Sequence, residues 1–348
     1  MSKGRLSTMA DIAASVGASS RDVALVLAAD GRVPPQLRQQ IAGEIDATGY
    51  RPLEALQAEI GRPLRLAIVF RTHRGDDPEA NRFYVPIAST IALACANHGA
   101  EIVQATMGVD DRYEPLGITS TFSDGSCDGA FIIGTQLDVE AVDRIRAGKC
   151  PVVLVDGYSA GDSLDSVVTD NVAGGRAAVE YLIAAGHHEI AMLGTEPGCY
   201  PSMLARREGY VEAIDAHGLR THLIDTDYVL ADTTALLGLD YVKRHPEVTA
   251  VFGANDLIAA TFMQAARDAG YHLPADISLV GFDDIDLASL VIPSLTTLAI
   301  DKALMGRAGF ALLAHRLEAH VSEPIEAVVM PRLIERESVV PPRDRPLR

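Results

Sequence analysis

At 348 residues and 37.0 kDa, with 48% hydrophobic and 22% charged residues and a mean hydropathy of +0.14, the chain has the composition of a globular protein of two or three domains. Collagen-like, coiled-coil and disordered readings are excluded, and no run approaches the ~20 uncharged apolar residues of a membrane span. A net charge of −17 excludes a protein that coats nucleic acid nonspecifically, but the charge is uneven. Residues 1–62 balance Lys3, Arg5, Arg21, Arg32, Arg38, Arg51 and Arg62 against as many Asp and Glu, so the acidic excess lies beyond them. Met1-Ser2-Lys3-Gly4-Arg5 leads into mixed polarity rather than an apolar signal core, so a cytoplasmic location without a membrane partner is expected. Cys95, Cys127, Cys150 and Cys199 are scattered and suggest neither a CxxC metal pair nor a disulfide framework; they are expected to be reduced, small core residues.

The first segment reads as three short helices. Met9, Ile12, Ala13 and Val16 recur at helical spacing, and Gly17 ends the run. Ser19 or Ser20 can cap a second helix carrying Val23, Val26 and Leu27, which closes at Asp30-Gly31. A third follows Pro34-Pro35, with Leu37, Ile41 and Ile45 at i, i+4, i+8, and closes at Thr48-Gly49-Tyr50 before Pro52. Two helices joined by a short Gly-containing turn and braced by a third can place the second helix in a DNA major groove, although such units also dock proteins.

From Leu66 onward, apolar runs alternate with helical stretches. The runs are residues 66–70, 130–133, 152–155, 190–193, 250–252 and 277–280. Continuous β-branched runs suit strands buried on both faces of a parallel sheet, and some 270 residues of such alternation imply two similar α/β lobes. Ligands bind beyond the carboxyl ends of such strands, which singles out Asp156, Asn255-Asp256 and Asp283-Asp284; their carboxylates and amides can pair with sugar hydroxyls, or Asn255 or Asp256, and Asp283 or Asp284, can cap the next helices. His187-His188-Glu189 has no third ligand at suitable spacing, so no metal is expected. Gly174-Gly175 lacks dinucleotide-fingerprint spacing and reads as close helix packing. Nothing resembles a nucleophile elbow, so neither a cofactor nor an enzyme activity is expected.

Asp11-Ile12-Ala13, Val16-Gly17-Ala18-Ser19, Val23, Val26-Leu27 and Gly49-Tyr50-Arg51-Pro52 resemble the helix-turn-helix headpiece of the LacI/GalR transcriptional regulators. Cys127-Asp128-Gly129, Asp170-Asn171, Arg206-Arg207-Glu208-Gly209-Tyr210, Ala254-Asn255-Asp256 and Val280-Gly281-Phe282-Asp283-Asp284 resemble that family's sensor domain, which is similar to periplasmic sugar-binding proteins. The resemblance implies a small all-α headpiece at 1–50, a hinge at 51–64, a two-lobed α/β effector-binding and dimerisation domain with parallel sheets at 65–340, and a tail at 341–348. It implies a homodimer on pseudopalindromic operator DNA, controlled by a sugar or nucleoside. DNA contacts are expected from Ser19, Ser20 and Arg21, with Arg5, Arg32 and Arg51; Arg21 suits guanine because an arginine reads its edge bidentately. Effector contacts are implied for Phe83, Asp156, Asp170, Arg206, Asn255 and Asp283.

The sequence departs from the family where DNA is read. Asp22-Val23-Ala24-Leu25 replaces the usual Thr-Val-Ser-Arg, exchanging a hydroxyl for a carboxylate and an arginine for leucine. In the hinge Leu53 replaces an asparagine, and the leucine that wedges between base pairs aligns with Glu59, unless the register slides to Leu56. The alternative function is a cytoplasmic small-molecule-binding protein whose headpiece no longer recognises DNA in the family manner. Residues 106–126 match the family poorly and leave their elements unassigned, and the Pro341-Pro342 tail carries no leucine heptads for a tetramerising helix.

Overall fold

The computed structural model describes residues 9–27, 33–48, 50, 52–72, 82–110, 114–118, 120–122, 124–148, 150–226, 230–318 and 323–343. Three helices come first: α1 (Met9–Ser15), α2 (Ser20–Leu27) and α3 (Pro35–Thr48). Their apolar faces meet in a separate small core of Ile12, Ala13, Val23, Val33, Ile41 and Tyr50.

A fourth helix, α4 (Leu53–Ile60), occupies the expected hinge and ends at Gly61, whose φ of 70° supplies the left-handed stop. It is docked on the larger domain. Leu53 is buried and donates its N–H to Glu318 (3.1 Å), while Gln57 donates to the His98 carbonyl (3.0 Å) and accepts from Leu64 N–H (3.0 Å).

The remaining described residues form two six-stranded sheets and a small two-stranded pair, Gln136–Leu137 with Tyr158–Ser159. The first lobe contains β1 (Arg65–Thr72), α5 (Tyr84–Asn97), β2 (Glu101–Gly108), β3 (Gly129–Ile133), β4 (Gln136–Leu137), α6 (Val139–Ala147), β5 (Val152–Val155), β6 (Tyr158–Ser159) and β7 (Asp165–Thr169). The chain then crosses to the second lobe through α7 (Asn171–Ala184), β8 (Ile190–Thr195), α8 (Pro201–Ala216), β9 (His222–Asp225), α9 (Ala231–Arg244), β10 (Ala250–Gly253), α10 (Asp256–Asp268), β11 (Ser278–Asp283), α11 (Asp286–Leu290) and β12 (Thr296–Ala299). It returns through α12 (Lys302–Glu318) and β13 (Glu326–Val329), and crosses once more to β14 (Arg332–Ile334). The sheet orders are β13-β7-β5-β3-β1-β2 and β14-β12-β11-β10-β8-β9. All pairings are parallel except β12 with β14, so the second sheet departs from the expected all-parallel arrangement at one edge.

The six apolar runs chosen from sequence lie in strands of these sheets, save Ile277 one residue before β11, because all of their residues but Phe70 are buried. The edge strand β2, which takes in the start of the unassigned 106–126 stretch, escaped because its outer position leaves only Met107 buried and breaks the apolar run. The rest of that stretch has a bridge between Val109 and Pro115 and a 3₁₀ turn at Ser120–Phe122. Among the described residues no helix is long and apolar enough to cross a membrane.

Close packing explains the glycine pair, Gly175 against α8 and Gly174 against the end of β11. A Cβ on Gly175 would lie 2.3 Å from the Arg206 carbonyl oxygen, one on Gly174 would meet the Phe282 ring at 2.5 Å, and one on Gly209 would lie 2.1 Å from the Val172 carbonyl oxygen. Backbone against backbone cannot be relieved by a rotamer change. Gly209→Ala is therefore expected to destabilise the protein by about 1–3 kcal/mol, read as a lowered urea midpoint; an unchanged midpoint would show that the helices can separate at no cost.

Candidate functional site

Two regions carry candidate binding residues: the start of α2 and the cleft between the lobes. In the headpiece, Ser19 is the N-cap. Its hydroxyl donates to Asp22 Oδ2 (2.7 Å), its own N–H donates to the same oxygen (3.0 Å), and Asp22 N–H returns a bond to Ser19 Oγ (3.2 Å). This is a capping box closed by aspartate, and the Ser19 hydroxyl holds the carboxyl below the usual range. Asp22 thus secures the helix start. Leu25, in the place of the family's arginine, is half-buried against the headpiece core. Ser19, Ser20 and Arg21 are exposed at the amino end of α2, whereas Arg5, Arg32 and Arg51 lie outside the described residues. Glu59 is exposed on α4, and Leu56, the alternative wedge, packs against the sensor core.

The cleft is built on a buried arginine. Arg206, on α8, is 3% exposed. Its Nε donates to Asn171 Oδ1 (2.9 Å), Nη1 to the Ala254 carbonyl (2.7 Å) and Nη2 to Asp283 Oδ1 (2.9 Å), while the guanidinium lies 3.8 Å from the centroid of Phe282. Two of its five N–H groups remain for a ligand. Asp283 ends β11 at φ 104°, and Asp156 follows β5 at φ 48°. Asp284, at φ 50°, pairs with Arg336 (2.6 Å). Aspartate tolerates this left-handed region better than most residues, and the strain turns the chain at the strand ends.

Across the cleft, Tyr84 donates to Asp156 Oδ2 (2.9 Å) and Tyr200 of the second lobe donates to the Asp156 carbonyl (2.7 Å). Burial pushes the Asp156 carboxyl up to about 6 despite the opposing pull of Arg206, and burial likewise raises Asp283. Arg71, at the end of β1, lies between the rings of Tyr84 (5.6 Å) and Tyr200 (5.4 Å). Phe83 packs edge-on to Tyr84 at 5.1 Å, with the Lys302 ammonium 5.4 Å from its ring. Lys302 also donates to the backbone carbonyls of Asp283 and Asp284.

The structure therefore gathers Phe83, Asp156, Arg206 and Asp283. Asn255 and Asp170 are helix caps, accepting from Ile258 N–H (2.9 Å) and Ala173 N–H (2.9 Å). The capping alternative holds for Asn255 but not for Asp283, since no side chain caps α11, and Asp170, expected only as an effector contact, caps α7. Sequence reasoning missed Arg71, Tyr84, Asn171, Tyr200 and Lys302, and also Tyr158, whose ring meets that of Tyr200 edge-on at 5.6 Å. Tyr84 and Asn171 stood beside predicted residues; for the others, contact across the fold left no local signal. His187 is clamped by Thr249 Oγ1 (2.8 Å) and the Val340 carbonyl (2.9 Å), while Glu189 pairs with His222 (2.6 Å), and among the described residues no cluster of three His, Cys, Asp or Glu could hold a metal.

A small helix-turn-helix unit joined to two α/β lobes around a polar cleft is the architecture of ligand-responsive DNA-binding regulators. Residues 179–339 match the periplasmic binding protein-like domain. The chain is 27% identical over 343 residues to the HTH-type transcriptional regulator CelR of Thermobifida fusca, covering 97% of this chain and 100% of that protein. It is 27% identical to the ribose operon repressor of Escherichia coli K12, over 96% of this chain and 100% of that one. The solved structure of a CelR–cellobiose complex superposes with a TM-score of 0.68 at 26% identity, covering 96% of this chain and 100% of that one. Over nearly its whole length the chain is similar in sequence and fold to transcriptional regulators of the LacI/GalR family.

Asp256 supports the cleft from behind. Fully buried, it accepts from Ile285 N–H (2.9 Å) and from the Thr297 hydroxyl (2.5 Å), and burial with the nearby Asp283 charge raises it to about 8. Its unfolded value is 3.8, so the fold favours the protonated acid. The stability this confers is fully present below pH ~4 and is lost as pH climbs to about 8. Asp256→Asn retains an acceptor for Ile285 and a donor toward Thr297, and is expected to shrink the loss of stability between pH 6 and pH 9 in urea titrations. An identical loss in both proteins would remove Asp256 as a source.

Proposed function

We propose that the chain is a dimeric transcriptional repressor whose affinity for a pseudopalindromic operator is set by a small polyhydroxyl effector, a sugar or nucleoside, held between the lobes. Residues 1–50 act as the headpiece, 51–64 as the hinge and 65–340 as the effector-binding and dimerisation domain. Ser19, Ser20 and Arg21 meet the DNA, assisted by Arg5, Arg32 and Arg51. Phe83 covers an apolar ligand face, while Asp156, Arg206 and Asp283 pair with hydroxyls; Asp170 and Asn255 form the rim through their helix starts.

The observation that carries this reading is the Arg206–Asp283–Asn171 network facing Asp156 across the cleft. It presents paired donors and acceptors beside buried aromatics, the chemistry a sugar needs. The CelR structure is described as a cellobiose complex and the Escherichia coli relative as a ribose operon repressor, which favours a sugar here. Effector and operator then share one coupling free energy, commonly ~1–3 kcal/mol, that acts equally in both directions.

Selection from a random duplex pool at ~0.1 M salt, where nonspecific binding is suppressed, is expected to enrich an inverted repeat. Arg21→Ala should weaken binding to that repeat about five- to 150-fold, the ~1–3 kcal/mol value of a guanine contact. Failure to enrich any sequence, with and without sugars and nucleosides, favours the second reading, a small-molecule-binding protein without family-type DNA recognition. Asp22 in the helix cap and Leu25 in the headpiece core motivate that alternative. Asp156→Asn is expected to weaken effector binding roughly tenfold or more by calorimetry, through loss of a charge-assisted bond; unaltered affinity for the selected sugar would place the ligand elsewhere.

A further inference from the structure

Beneath α4, the turns leading into the adjacent parallel strands β3 and β5 bring Cys127 and Cys150 together, with their sulfurs 3.4 Å apart. Both thiols line a pocket of about 330 Å³, whose wall includes Leu56 and Ile60 of α4, Leu64, Phe122 and Leu317. Cys127 is buried and Cys150 half-buried, and both are free. The residue after Cys127 is tied to the end of α4: Asp128 accepts two bonds from Arg62, each 2.7 Å, and a third from Arg65 N–H at 2.8 Å.

We propose that Cys127 and Cys150 form a site of reversible oxidation by a hydroperoxide, whose disulfide loosens the docking of α4. The Cys127 sulfur attacks the peroxide, the O–O bond breaks, and Cys127 sulfenic acid and an alcohol or water are released. Cys150 sulfur then attacks the sulfenic sulfur, the S–O bond breaks, and its oxygen leaves as water with the thiol proton. Two thiols lose two electrons in all, and the peroxide gains them. Pairing with Cys150 lowers Cys127, which favours the thiolate at the attacking sulfur, while the same pairing and burial raise Cys150; the Cys127 thiol also has the Thr121 carbonyl at 3.1 Å to accept its proton.

Bridging requires the sulfurs to close from 3.4 Å to about 2.05 Å. That movement pulls the turn before β3 toward the start of β5 and carries Asp128 with it. Arg62 and the pocket face of α4 must follow or separate. A thiol pair elsewhere on the lobe could oxidise without consequence; here one neighbour anchors the hinge, and the pocket wall is the hinge.

The test treats full-length protein with hydrogen peroxide in the absence of DNA. The expected result is loss of two titratable thiols, a 127–150 linked peptide by mass spectrometry, reversal by dithiothreitol, and at least tenfold faster hydrogen exchange at the amides of residues 53–60. Cys127→Ser and Cys150→Ser, checked by circular dichroism for intact folding, should each abolish the bridge and the change in exchange. Stable Cys127 sulfenic acid without a 127–150 bridge would overturn the proposal, as would a bridge that leaves α4 exchange unchanged. Any effect on operator affinity rests on the function proposed above, whereas α4 exchange is read without DNA and separates failure of the switch from failure of DNA binding.

Discussion

Taking the guanidinium of Arg206 out of water is the constraint around which the sensor domain is arranged. An unpaired charge at that depth would cost several kcal/mol, so its partners must be fixed in advance. They come from separate parts of the chain: Asn171 at the start of α7, the Ala254 carbonyl after β10, and Asp283 with the Phe282 ring at the end of β11. Gly175 and Gly209 let α7 and α8 approach closely enough for Arg206 to reach Asn171. The helix packing, the strand endings and the cleft chemistry are consequently one solution to one electrostatic problem.

The headpiece solves a smaller problem by similar means. The amino end of α2 leaves backbone N–H groups to be satisfied, and Ser19 with Asp22 satisfies them reciprocally. A carboxylate that would repel phosphate if it pointed outward is held against its own helix. Leu25 adds apolar contact to a very small core where an arginine would project into solvent. Both departures from the family pattern therefore favour folding of the headpiece over its electrostatic attraction to DNA, leaving Ser19, Ser20 and Arg21 as the polar residues exposed at the helix start. Helix α4 shows the same bias: Leu53 and Leu56 pack against the core of the larger domain, and Glu59 is exposed.

Local signals in the sequence were legible where a residue's role depends on its immediate neighbours. Strands buried on both faces declare themselves as unbroken apolar runs, as at Ile132 and Val251, and the three-helix core follows from the spacing of Ile12, Val23 and Ile41. Edge strand β2 loses that signal because solvent takes one side of it. Asp156 and Asp283 could be singled out by position at strand ends, but the sequence could not tell them from Asn255, which caps a helix. Tyr200 and Lys302 reach the cleft from segments far from their partners, and no periodicity records such a meeting. The pairing of Cys127 with Cys150 was hidden in the same way: residues apart in sequence become neighbours only when β3 and β5 align.

The left-handed backbone at Asp156, Asp283 and Asp284 also restricts how this cleft can diverge. At those positions a branched or bulky replacement incurs backbone strain in addition to the lost carboxylate, so asparagine and glycine are the readily accessible substitutions. Phe83 and Arg71 carry no such restriction. Over evolutionary time, changes to the cleft should accumulate at those two side chains, while the three aspartates persist as a frame inherited largely unchanged.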